Sequence, residues 1–75
     1  MSTNANGLER ERLVLSAAEL AQSLAISERH LWAMHADGRL GPEPIALGRA
    51  KRWYLEDVKR WLAAGAPARN AWLNG

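Results

Sequence analysis

Two serines, Ser16 and Ser27, constrain this chain more than any other feature, because each stands where a helix begins and the second comes too soon for the first helix to be long. Ser16 is followed at the third position by Glu19. This is a capping box, in which hydroxyl and carboxylate each satisfy a backbone N–H that the first helical turn leaves without a partner. From there Ala17, Leu20, Ala21 and Leu24 recur at i, i+3, i+4 and i+7, one face of an α-helix. The pattern breaks at Ala25 and Ile26, so the chain turns in about three residues and a second helix starts at Ser27. Two helices joined this closely must cross steeply. On the second, Leu31, Met34 and His35 form the inward set, Glu28, Arg29, Trp32, Ala33 and Ala36 point away from it, and Gly38 suits the left-handed residue that ends a helix.

Gly41, Pro42 and Pro44 forbid helix beyond that point. Ile45, Ala46 and Leu47 then alternate as a strand does, and Gly48-Arg49 turns the chain into a return strand over residues 51–54. On that strand Trp53 is aimed at the core, with Arg52 and Tyr54 on the other face. A third helix follows, with Glu56 and Asp57 in the first turn, where the helix dipole favours negative charge, and with Val58, Trp61 and Leu62 as its apolar stripe. Its start is poorly capped, because Leu55 sits where Ser or Thr is expected. Gly65 and Pro67 close it. Leu13, Val14 and Leu15 read as a short apolar patch, too brief for an element of its own but able to pack on the core. No role follows for Trp72. The expected fold is therefore mainly α with a small β-hairpin, a winged helix-turn-helix. Residues 1–12 are read as a flexible polar arm, 13–65 as the domain and 66–75 as a tail.

A chain of 75 residues makes one domain, and folding at this size buries only about 60% of the surface the unfolded chain exposes. Without cysteine there is no disulfide framework and no Cys/His set for a structural zinc ion, which suits a reducing cytoplasm. The first residues lack the apolar core of a signal peptide, and no apolar run approaches the roughly 20 residues that span a bilayer. Enzyme chemistry finds no foothold either. Ser16 and Ser27 have no base beside them, His30 and His35 lack further metal ligands, and the side chains of Glu56 and Asp57 diverge by about 100° around a helix. No catalytic residue, metal, cofactor or small-molecule ligand is expected.

The net charge of +2 is too small by itself to call for a polyanionic partner, so placement decides. Between Gly48 and Trp53 stand Arg49, Lys51 and Arg52, with no acid. Helix, tight turn, helix and cationic hairpin is an order that sets one helix into a groove of double-stranded DNA while the hairpin reaches the flanking backbone.

The chain also resembles a family in that order. The stretches that carry the likeness are Leu15-Ser16-Ala17-Ala18-Glu19-Leu20-Ala21, Ile26-Ser27-Glu28-Arg29-His30-Leu31-Trp32, Gly38-Arg39-Leu40 with Pro42 and Pro44, Leu47-Gly48-Arg49, and Arg52-Trp53 leading to Asp57-Val58 and Trp61-Leu62. Together they are similar to the MerR-type winged helix-turn-helix domains of phage and plasmid excisionases and of AlpA-type regulators. The resemblance implies a second helix in the major groove and a wing on the backbone or adjacent minor groove. The DNA-contacting set becomes Ser27, Glu28, Arg29, Trp32 and Ala33 on the helix, with Arg49, Lys51 and Arg52 on the wing. The chain departs from the family at Glu28, where a cation is common, at Gly41, which reads as an insertion, and at Lys51, where an apolar residue is usual.

The function expected is thus a cytoplasmic DNA-binding accessory protein, either an excisionase that helps an integrase or a small transcription regulator. A single module of this kind covers only about 600 to 1,000 Å², so tight binding calls for further copies of the chain or a second protein such as an integrase. Two alternatives stay open: a protein-interaction module that uses Glu28, Trp32 and the tail around Trp72, and the DNA-recognition domain of a viral packaging complex.

Overall fold

The capping box and the second serine cap both form, and they start the two helices where the sequence places them. The computed structural model describes residues 13–74, and the arm expected for residues 1–12 lies outside them. In chain order the elements are β1 (Val14–Leu15), α1 (Ala17–Ser23), α2 (Glu28–Asp37), β2 (Ile45–Leu47), β3 (Ala50–Tyr54), α3 (Leu55–Ala63) and α4 (Arg69–Asn74). About half of the chain is helical, and the strands make one three-stranded antiparallel sheet in the order β1-β3-β2.

Ser16 Oγ accepts from the Glu19 N–H at 3.1 Å, while Glu19 Oε1 accepts from the Ser16 N–H at 2.9 Å. Ser27 Oγ accepts from the His30 N–H at 3.0 Å. Between the two helices Ala25 takes a left-handed φ of 59°, and the Ile26 N–H donates back to the Ala21 carbonyl at 3.0 Å. That conformation costs a residue with a Cβ roughly 1 kcal/mol, which the packing of α1 on α2 offsets. At the far end of α2, Gly38 has φ 83°, and the Arg39 and Leu40 N–H groups both return to the Met34 carbonyl.

The residues read as a bare apolar patch in fact add a strand. Val14 pairs with Tyr54 and Leu15 with Trp53, so a hairpin becomes a three-stranded sheet. Two residues cannot register as a strand in the sequence, since alternation needs more positions to be visible. The same segment resolves the weak start of α3. Its cap residue is Tyr54, which makes no side-chain bond, and the Leu55 N–H instead donates to the Leu13 carbonyl at 3.0 Å. The β2–β3 hairpin closes with Leu47 opposite Ala50 around Gly48-Arg49. Gly48, at φ 67°, supplies the positive φ that a type II′ turn needs at its first loop position.

Leu15, Leu20, Leu31, Leu40, Trp53, Val58 and Trp61 form the core. Each buried indole N–H has a partner, Trp53 donating to the Pro42 carbonyl at 3.2 Å and Trp61 to the Pro67 carbonyl at 2.7 Å. Leu62 is a correction: at 48% exposure it lies outside the core. One residue past Trp61 turns about 100° around the helix, and the stripe that α3 buries is centred on Val58 and Trp61. The segment assigned as a tail is packed structure through α4, which sets Trp72 against the core.

Candidate nucleic-acid interface

On α2 every residue expected to point outward does so: Glu28, Arg29, Trp32, Ala33 and Ala36 are all exposed. Ser27 is occupied as the helix cap. Trp32 is less free than its neighbours. At 36% exposure, it lies tilted against Trp53 with ring centroids 5.6 Å apart and edge-on to His35 at 5.7 Å. Its indole therefore joins α2 to β3 while keeping one edge open to solvent.

The hairpin divides its cations. Residues paired across an antiparallel ladder project to the same face and successive residues to opposite faces. Leu15, Trp53, Ala46 and Lys51 therefore share the face that carries the core, while Val14, Tyr54, Ile45, Arg52, Leu47 and Ala50 share the other. Lys51 extends past the core on the side of α2, close enough for its charge to act on His35. Arg52 points the opposite way, with its Nη1 donating to the Lys51 carbonyl at 2.8 Å, and Arg49 stands in the turn. The three wing cations, grouped in the sequence, thus do not face one way: Lys51 stands on the face of the sheet that carries the core and Arg52 on the other.

Charge pairing sorts the cations more sharply than position does. Arg39 bonds Asp37 at 2.9 Å, Lys59 bonds Glu56 at 3.5 Å, Arg60 bonds Asp57, and Arg69 lies 3.9 Å from Glu43. Arg29, Arg49, Lys51 and Arg52 have no acid partner among the described residues. Exposed pairs add little to stability, but they do cancel the field that a distant polyanion would feel. Among the described residues, the uncancelled positive charge lies on α2 and the hairpin. The Glu28 carboxylate makes no ion pair with Arg29.

Behind this surface sits a latch with no counterpart in the sequence reading. Arg69, at the start of α4, closes the C-terminal end of α2: its backbone N–H donates to the Gly38 carbonyl at 2.8 Å, Nε to the Leu40 carbonyl at 3.2 Å, and Nη2 to the His35 carbonyl at 2.9 Å. The last carbonyls of a helix lack helical partners, and a guanidinium satisfies several at once. Nη2 also lies 3.1 Å from His35 Nδ1, which fixes the neutral ring with Nδ1 as acceptor. Among the described residues no trio of His, Cys, Asp or Glu could hold a metal ion, and no helix is long and apolar enough to cross a membrane.

Burial holds the His35 pKa below the ordinary 6.5, with the Arg69 charge acting in the same direction, Lys51 adding to it and Glu43 opposing. The native state then binds fewer protons than the unfolded chain between 6.5 and the lowered value, so stability rises with pH across that window. The contribution of His35 is fully present above pH 6.5 and is lost as pH falls through it. Thermal unfolding at pH 7.5 and 5.0 is expected to show a lower midpoint in acid, and His35→Gln, whose amide oxygen still accepts from Arg69, is expected to narrow the difference. An equal acid shift in that variant would remove the cause from His35.

The chain was compared with protein-family models, curated proteins and solved structures, and matches none of them.

Proposed function

We propose that this chain is a winged helix-turn-helix DNA-binding accessory protein, an excisionase-type recombination factor or small transcription regulator, with α2 as the helix that enters the major groove and the β2–β3 hairpin as the wing. The observation that carries this reading is the segregation of charge. Every described cation outside α2 and the hairpin has a carboxylate within 4 Å, whereas Arg29, Arg49, Lys51 and Arg52 have none among the described residues. Packing of α1 on α2, a short turn and the small exposed Ala33 and Ala36 let α2 approach a groove floor. Arg52, on the outer face, is left to the adjoining backbone, and further copies of the chain or an integrase extend the contact surface.

Each phosphate neutralised contributes about −0.9 to the slope of log K against log salt, so four cations give a slope of about −3 to −4. Titration of a duplex between 50 and 200 mM salt reads it directly, and an affinity indifferent to salt contradicts the proposal. The apolar outer face of the sheet, with Tyr54 at 47% and Leu47 at 53% exposure, favours a second reading as a protein-interaction module. Failure to bind any duplex at low salt would favour that module instead.

A further inference from the structure

The exposed flank of α2 divides chemically along its length. Its first turn carries exposed hydrogen-bonding side chains, Glu28, Arg29 and His30, and Arg29 has no acid partner among the described residues. Beyond them the outward positions are Ala33 and Ala36, both exposed and both ending in a methyl group. Trp32, which precedes both in sequence, is turned toward Trp53 and His35. At the far end the Asp37 carboxylate is taken up by Arg39 at 2.9 Å, so the free hydrogen-bonding readers stand at the N-terminal end and the outward positions between the two ends are small and apolar.

In the major groove the one apolar group that distinguishes a base is the C5 methyl of thymine, while a guanidinium reads guanine through O6 and N7. We propose that α2 selects its site by thymine methyls, with Ala33 and Ala36 packed against them and Arg29 set on a guanine at the other end of the site. This rests on the DNA-binding reading and specifies the base chemistry that reading requires. The spacing follows from the helix. Ala33 lies four residues and Ala36 seven beyond Arg29, about 6 and 10 Å along the axis at 1.5 Å per residue. With the helix lying along the groove and bases about 3.4 Å apart on a strand, the methyls fall about two and three base pairs from the guanine. A side chain larger than alanine at either position would hold the backbone away from the groove floor, so the small residues serve both the close approach and the contact.

Deoxyuridine tests this, because it removes the methyl and leaves every phosphate and every hydrogen-bonding group of thymine in place. Sites are first selected from random duplex DNA with the full chain, and each thymine of the selected site is then replaced singly. The expected result is a guanine with thymines two and three base pairs away, and a loss of about fourfold in affinity for each of those two replacements, the factor that burying one methyl-sized group carries. Replacements elsewhere are silent. In Ala33→Gly the fourfold penalty at the nearer thymine disappears while that at the farther one stays. A selected site indifferent to uracil, or lacking thymine at those positions, overturns the methyl readout and leaves DNA binding intact. No complex with any duplex at 50 mM salt overturns both.

Discussion

Gly41→Ala is expected to destabilise the protein by about 3 kcal/mol, the upper part of the range for forcing an extra methyl into a filled site. A Cβ at this position would stand 2.5 Å from Nε1 and 2.6 Å from Cδ1 of Trp61, and 3.0 Å from Cγ of Trp72. The Trp61 ring has no room to yield. Trp61 is buried and its N–H is held by the Pro67 carbonyl at 2.7 Å, so moving the indole breaks that bond and unseats the segment leading into α4. The loss is steric, since Gly41 is not among the residues with positive φ. Gly48→Ala provides the contrast: nothing lies within 4 Å of its Cβ, but φ is 67°, and the cost is about 1 kcal/mol of backbone strain. For a domain of this size each kcal/mol lowers the midpoint by about 4 to 8 °C, so Gly41→Ala should melt at least about 12 °C below the parent. A midpoint within 2 °C of the parent would show that the indoles do not pin this glycine.

Reversing the charge of Arg49 and Lys51 together to Glu is expected to weaken binding to duplex DNA by at least about a hundredfold at 50 to 100 mM salt, close to 2.7 kcal/mol. Both side chains are exposed and neither makes an ion pair among the described residues, so the substitutions remove no described ion pair from the fold. The comparison that gives the result meaning is reversal of Lys59 and Arg60. Those cations already face Glu56 and Asp57, and their reversal should cost about tenfold at most, through the general field of the molecule. Arg52→Glu alone should fall between the two pairs, because the pleat turns residue 52 away from α2. Equal losses from both pairs, measured by fluorescence anisotropy, would mean that net charge rather than position governs binding.

The parts of this fold legible in the sequence are those with local causes. Ser16, Glu19 and Ser27 set both helix starts through bonds that span three residues, and Gly38 and Gly48 took the left-handed conformations their places require. What escaped depends on partners distant in the chain. Gly41, which looks like an insertion, is the spacer on which Trp61 and Trp72 close. Leu40 is fully buried although no periodicity frames it between Arg39 and Gly41. Arg69 reads as one more surface cation, yet it closes the end of a helix more than thirty residues away. Of the candidate interface, the cations were identified, and alternation already set Arg52 on the face opposite Trp53, as the register has it. Opposite orientations for Lys51 and Arg52 follow from strand alternation, and the influence of the Lys51 charge on His35 of α2 could be known only from packing.

The central claim is that α2 and the hairpin meet one duplex together, and amide chemical shifts measured as a short duplex is added to isotopically labelled protein at low salt test it most directly. The account predicts that Arg29, Ala33, Ala36, Arg49, Lys51 and the Trp32 indole move, while Lys59, Arg60 and Leu62 on the outer face of α3 stay in place. Shifts concentrated on α3, or confined to either α2 or the hairpin without the other, would contradict it.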